Sequence, residues 1–203
     1  LLYTALAIRT IQILRTRNGV FIVDDNNRKA LSLVCEHFTK PQPETKRKGI
    51  ALVGEVGVGK SEILFGFFKA IHDLSTIPEY EYFKQHRYSF KTCRDTAQSY
   101  QKHGFDGIGF YTKQYTSTTP PRLNNMAFDD LGTERNQKFY GNEANVMSEI
   151  IQERYDRFKS GLVTHFTTNL TPEQINEYYG DRATDRLNEM CKFIQVGGGS
   201  RRA

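Results

Sequence analysis

Apolar positions recur with two different periods along this chain, and the switching between them predicts alternating strands and helices. The opening LLYTALAIRTIQIL reads as a helix, and NGVFIVDD (Asn18 to Asp25) as a short extended piece after a turn. In NNRKALSLVCEHF, residues Ala30, Leu31, Leu33, Val34 and Phe38 fall close to helical spacing. The polar, proline-containing loop KPQPETKRKG leads into IALVG, a short apolar run suited to a buried parallel strand. SEILFGFFKAIHDL is the next helix, residues 75 to 87 read as irregular, and RYSFKTC alternates as a second strand.

RDTAQSYQKHG predicts a helix closed by Gly104, and the Gly-, Thr- and Pro-rich residues 105 to 122 a long loop. NNMAFDD is a third strand with two carboxylates at its carboxyl end. Val146, Met147, Ile150, Ile151, Tyr155 and Phe158 mark an amphipathic helix, and LVTHFTTN a fourth strand. In TPEQINEYYG, Thr171 is placed as cap, Pro172 at the first helical position and Gln174 three residues after the cap. DRATDRLNEMC predicts a further helix and KFIQV a last strand. Strands alternating with helices predict an α/β fold with a parallel sheet flanked by helices.

Composition narrows the class. The 203 residues suffice for one well-cored domain with a small appendage, and 38% hydrophobic with 25% charged residues is a soluble globular balance. No apolar run approaches the roughly 20 residues that span a bilayer, and the opening helix lacks a basic leader and a cleavage site. A cytoplasmic protein with no membrane partner is expected. Cys35, Cys93 and Cys191 are far apart and form no CxxC, which fits buried thiols in a reducing compartment. The five histidines show no metal-ligand spacing. A net charge of +5 is compatible with a polyanionic partner without requiring one.

The chemistry concentrates in GEVGVGKS, Gly54 to Ser61, which fits G-x-x-x-x-G-K-[ST] between a predicted strand and a predicted helix. Its backbone N–H groups, from Gly54, Glu55, Val56, Gly57, Val58 and Gly59 onward, would turn inward around phosphate oxygens. Lys60 would bring a cation to the β and γ phosphates, and Ser61 a hydroxyl to Mg²⁺. ATP and Mg²⁺ are therefore the expected cofactors. Such a site needs a carboxylate at the end of a neighbouring strand, which MAFDD supplies. Asp129 would hold the metal through water and Asp130 would orient the attacking water; alternatively the two acids open a turn. Asn169, at the tip of LVTHFTTN, could touch the γ phosphate, or be a simple turn asparagine.

The order of phosphate loop, strand, DD strand, Asn-tipped strand and arginine-bearing helix resembles AAA+ ATPases. In GEVGVGKS, FDDLGTE, SEIIQERYDR, TTNLTPEQI and YGDRATDRL the resemblance sharpens to DnaC/DnaI-type helicase loaders and the related IstB-like transposition helpers, over roughly residues 20 to 202. It implies an AAA+ core with little or no helical lid over residues 18 to 203. Residues 1 to 17 are then an N-terminal helix or linker from a missing partner-binding region. It also implies ATP hydrolysis at subunit interfaces, with Asp129 metal-associated, Asp130 catalytic and Asn169 a sensor. Arg186 would be a finger reaching the neighbouring subunit, with Arg182 one turn before it; both could instead pair with Asp181, Asp185 or Glu189 on a solvated face. Arg201 or Arg202 could sense nucleotide or belong to a ragged terminus.

Implied partners are a ring helicase or a transposase, single-stranded DNA, and further copies of the chain in the presence of ATP. Phe105, Phe110, Tyr111 and Tyr115, with Lys102 and Lys113 and the cluster Lys46 to Lys48, offer stacking and charge for a single strand. A P-loop small-molecule kinase is the other reading, although the late arginine helix and the DD pair favour the ATPase.

Overall fold

The fold is built around β1 (Gly49–Val53), where Ile50 and Leu52 bury on one face and Ala51 on the other. The computed structural model describes residues 1–18, 21–43, 47–112, 124–139 and 142–201. With β2 (Ser89–Thr92), β3 (Met126–Leu131), β6 (Thr164–Thr168) and β7 (Cys191–Gln195), β1 forms a sheet in the order β2-β3-β6-β1-β7. Every neighbouring pair in it is parallel. A separate antiparallel hairpin joins β4 (Gln137–Phe139) to β5 (Asn142–Ala144).

Helices cover both faces, as an all-parallel sheet requires. On one side lie α1 (Leu2–Asn18), α2 (Asp25–Thr39) and α3 (Lys60–Leu74), packing Leu14, Phe38 and Phe67 against Ile50, Leu52 and Ala127. On the other lie α4 (Cys93–Thr112), α5 (Val146–Phe158) and α6 (Pro172–Met190), which meet Ala51, Met126, Phe128 and Phe166. The period-2 alternation along β1 and β3 divides the core into these two layers. Local signals hold the helix starts: Asp24 caps α2 by accepting from Asn26 N and Asn27 N, and Thr171 with Gln174 forms the expected capping box on α6. Among the described residues no helix is long and apolar enough to cross a membrane.

Several expectations are corrected. Within residues 75 to 87, read as irregular, Pro78–His86 forms 3₁₀ turns broken at Tyr80 (φ −117°, ψ 20°), with Phe83 buried. Gly104 interrupts α4 as expected (φ 57°, ψ −143°), but a second helical stretch follows it to Thr112 where a loop was expected, because Ile108 and Tyr111 find core positions one turn apart. The loop expected from residue 105 therefore begins no earlier than 113, and residues 113–123 lie outside the described set. The two helices expected at 172 to 191 are present, meeting at a non-helical kink at Gly180 within α6. The β4–β5 hairpin was not foreseen, since three-residue strands carry no readable alternation.

Arg154, on α5, is buried to 1% exposure. It donates to Thr164 Oγ1 (2.7 Å) and to the carbonyls of Tyr111 (2.6 Å), Val163 (2.9 Å) and Asn124 (3.1 Å). One guanidinium thus ties the end of α4 to the entries of β3 and β6. Burial pushes its pKa down to about 9, still charged at neutral pH. Replacing it with Met strands buried acceptors, and urea unfolding is expected to show a loss of about 3 kcal/mol. A loss under about 1 kcal/mol would mean that the four bonds are replaceable.

Candidate nucleotide site

The carboxyl ends of β1, β3 and β6 meet the amino end of α3, and the predicted residues converge there. Gly59 precedes α3 at φ +96°, with no atom within 4 Å of the place a Cβ would take. Backbone conformation, not space, demands glycine at that position. The first turn of α3 then directs its N–H groups and its positive dipole end into the cleft.

Lys60 is only 4% exposed. Its Nζ donates to Gly54 O (2.9 Å), Glu55 O (2.7 Å) and Asn169 Oδ1 (2.5 Å). The strand-tip asparagine and the loop lysine, more than a hundred residues apart in sequence, are therefore in direct contact. Asn169 is not a free turn residue.

Asp129 is 7% exposed, and its Oδ1 accepts from Thr167 Oγ1 at 2.6 Å. Thr167 Oγ1 in turn accepts from Asp130 N at 2.8 Å, so one hydroxyl links the two aspartates. The pairing of β3 with β6 shifts register between Phe128 and Leu131, and Asp130 sits at φ +58°. A non-glycine residue in that region is strained, and the irregularity turns Asp130 toward the cleft while Asp129 stays inside. Burial raises the Asp129 pKa, with bonds from Thr167 and Ser61 pulling it down and the Asp130 charge pushing it up. A buried carboxylate beside a hydroxyl is a hard-oxygen pair of the kind Mg²⁺ takes, and a divalent cation would offset the burial cost. The residues present fit the metal and the triphosphate.

Val56, Gly57, Gly59, Lys60, Ser61, Glu62, Asp130, Thr133 and Asn169 line a cleft of about 770 Å³, closed on the far side by Phe21, Ile22 and Arg201. That volume lies within the usual range for a small-molecule site. Arg201 corrects the ragged-terminus reading: its guanidinium holds both Asp24 carboxylate oxygens at 2.8 Å, and its backbone N donates to Gly57 O at 3.0 Å. The carboxy-terminal GGGSR strap is thereby laid across the phosphate loop. Arg202 lies outside the described residues.

Other expected residues do not gather here. Arg186 lies over the Tyr155 ring at 4.8 Å and 3.8 Å from Asp156, its side chain 11% exposed. Its partner is on α5, not among the acids of its own helix. Arg182, one turn earlier, is exposed. Of the aromatic series, Phe105 and Phe110 are exposed but Tyr111 is buried against Phe128, which removes it as a stacking platform. Tyr115, Lys113 and Lys46 lie outside the described residues; Arg47 is bonded to Gln85 and Lys48 to Asn188 O. Sequence reasoning missed Thr167 and Thr133. The paired threonines of HFTTN were the available signal for the first.

The parallel sheet carries the phosphate loop after β1 and the paired acids on β3. That strand is not beside β1, as the sequence suggested, but one strand removed, with Asn169-tipped β6 between them. This is the fold of P-loop NTPases of the AAA+ type. Solved structures place the fold more narrowly. The DnaC helicase loader superposes with a TM-score of 0.60 at 23% identity, covering 88% of this chain and 94% of that one. DnaI gives 0.57 at 23% identity over 94% of this chain and 93% of its own. AMPPCP-bound DnaA from Aquifex aeolicus gives 0.56 at 19% identity, over 87% of this chain and 48% of that one. At these identities the likeness is one of fold. No protein-family model and no curated protein matches the chain.

Proposed function

We propose that this chain is an ATP-hydrolysing AAA+ protein of the DnaC/DnaI type, which loads or remodels a replicative ring helicase on single-stranded DNA. The observation that carries the reading is the Lys60–Asn169 contact beside the Asp129–Thr167–Asp130 chain, within a fold shared with a helicase loader along nearly its whole length. Lys60 and the α3 amino end bind the phosphates, and Asn169 positions Lys60 until the γ phosphate competes for it. Ser61 and Asp129 would hold Mg²⁺, which would supply neutralising charge to the phosphate oxygens. Asp130 orients the attacking water. Asp130→Asn is expected to leave ATP bound while turnover falls about 10²-fold; wild-type turnover in that variant would move the role elsewhere.

The finger in trans is proposed to come from α6. Arg186 must leave Tyr155 and Asp156 to reach a neighbour, whereas the exposed Arg182 needs no such movement. Leu6 and Leu14 of α1 bury in the same core as the phosphate-loop strand, so residues 1–17 are read as part of the ATPase body. The test is sedimentation of the chain with a hexameric helicase and a single-stranded oligonucleotide, with ATP or ADP. An ATP-dependent ternary complex is expected. Equal sedimentation with both nucleotides, or none, would contradict the loader reading.

A further inference from the structure

Beyond the phosphate loop, one polar connection runs from the paired-acid turn to the arginine helix. Glu134 Oε1 accepts from Tyr179 OH, and its Oε2 accepts from Gly132 N at 3.0 Å. Thr133 closes the same turn, donating from N (3.2 Å) and Oγ1 (2.8 Å) to Asp130 O. The turn that fixes the strained backbone of Asp130 is thus gripped from its far end by Glu134. Gly132 leaves little slack: a Cβ there would come within 2.5 Å of the side chain of Leu170, the neighbour of Asn169.

Tyr179 stands immediately before the bend of α6 at Gly180 (φ 80°, ψ 164°). The carbonyls at that bend are held by α5, with Asn145 Nδ2 donating to Tyr178 O at 2.9 Å and Ser148 Oγ to Tyr179 O at 3.4 Å. Arg182 and Arg186 follow on the far side of the bend. Glu134 and Tyr179 are both withdrawn from water, and burial raises each of their pKa values, so their bond forms where competition from solvent is weak.

We propose that Glu134 and Tyr179 are positioning residues that couple Asp130 to the bend of α6, so that the orientation of the arginine-bearing half-helix and the geometry of the attacking water are set together. The inference rests on the ATPase reading of the site. Neither residue lines the nucleotide cleft; Glu134 lines a separate surface depression with Asn136 and Asn145.

The experiment compares wild type, Tyr179→Phe, Glu134→Gln and the double variant in the full chain. It reads kcat, KM for ATP, affinity for a non-hydrolysable ATP analogue, and Tm. Tyr179→Phe keeps the ring and removes the hydroxyl; kcat is expected to fall about tenfold or more with KM, analogue affinity and Tm close to wild type. Glu134→Gln keeps an amide within reach of the Tyr179 hydroxyl and so weakens the link, whereas Tyr179→Phe cuts it; the double variant should therefore be no slower than Tyr179→Phe alone. Unchanged kcat, multiplicative losses in the double, or a loss matched by weaker analogue binding and lower Tm would each overturn the coupling. A wild type without ATP turnover would overturn the ATPase reading and the coupling with it, which separates the two failures.

Discussion

Lys60→Ala is expected to reduce ATP turnover by about 10²–10³-fold, the scale on which a preorganised charge contact acts at a transferring group. The ammonium sits at the floor of the cleft, gripped by Gly54 O, Glu55 O and Asn169 Oδ1, so its position is fixed before nucleotide arrives. Its removal withdraws the cation nearest the transferred phosphoryl oxygens. It also leaves Asn169 without its partner, so the variant should lose nucleotide affinity as well as rate. The fold should survive, because the cleft opens to water and the stranded acceptors can be hydrated. Isothermal titration with Mg·ATP and a phosphate-release assay check both parts; normal binding with normal release would remove the phosphate-loop assignment.

The second large effect is on stability against acid. His37, His86 and His165 bury together at the end of the sheet opposite the nucleotide cleft, around Phe38 and Tyr88. Burial lowers His37 from 6.5 to about 4 and His86 to about 3, with Lys192 and Arg47 adding to the first and Arg47 and His37 to the second. His165 is lowered well below 6.5 by burial, with His37, His86 and Arg154 adding, and its Nδ1 accepts from Ile50 N at 3.1 Å. Protonating that nitrogen would break a bond at the centre of the sheet.

Because the folded values lie below the unfolded one, the unfolded chain takes up protons first as pH falls. The stabilisation is complete above about 6.5 and is lost toward the folded values, at about 1.4 kcal/mol per pH unit for each histidine. Asp129 and Glu134 act in the opposite sense, since burial raises their values and the folded state gains protons there. At that slope each histidine gives up about 2 kcal/mol between pH 7 and pH 5, a loss that the two carboxyl groups reduce; a net loss of stability is expected, large against the roughly 5–15 kcal/mol typical of a domain. Urea unfolding at the two pH values measures it. Equal stability at both would mean that the histidines are hydrated or charged in the folded state.

Much of this architecture was legible in the sequence, for reasons particular segments make plain. IALVG, MAFDD and LVTHFTTN are short apolar runs ending in polar residues, the pattern of parallel strands that carry chemistry at their carboxyl ends. GEVGVGKS needed only its strand-and-helix context. The glycine-dense stretch after His103 misled in part: Gly104 does break the helix, but Ile108 and Tyr111 still bury on a further helical stretch that reaches Thr112. Within the site, the convergence of Lys60, Asn169, Asp129 and Asp130 followed from strand-end logic. The role of Thr167 could not be read in advance, because it depends on the register shift between β3 and β6. The environment of Arg186 was hidden for a similar reason: Tyr155 and Asp156 belong to another helix, and only packing brings them beneath it.

The measurement that reaches the central claim most directly is ATP turnover against protein concentration, with and without single-stranded DNA. Specific activity that climbs with concentration and responds to the DNA is the predicted result, since it requires a hydrolytic site completed by a neighbouring copy and sensitive to nucleic acid. Activity that is flat in concentration and indifferent to DNA would contradict the account.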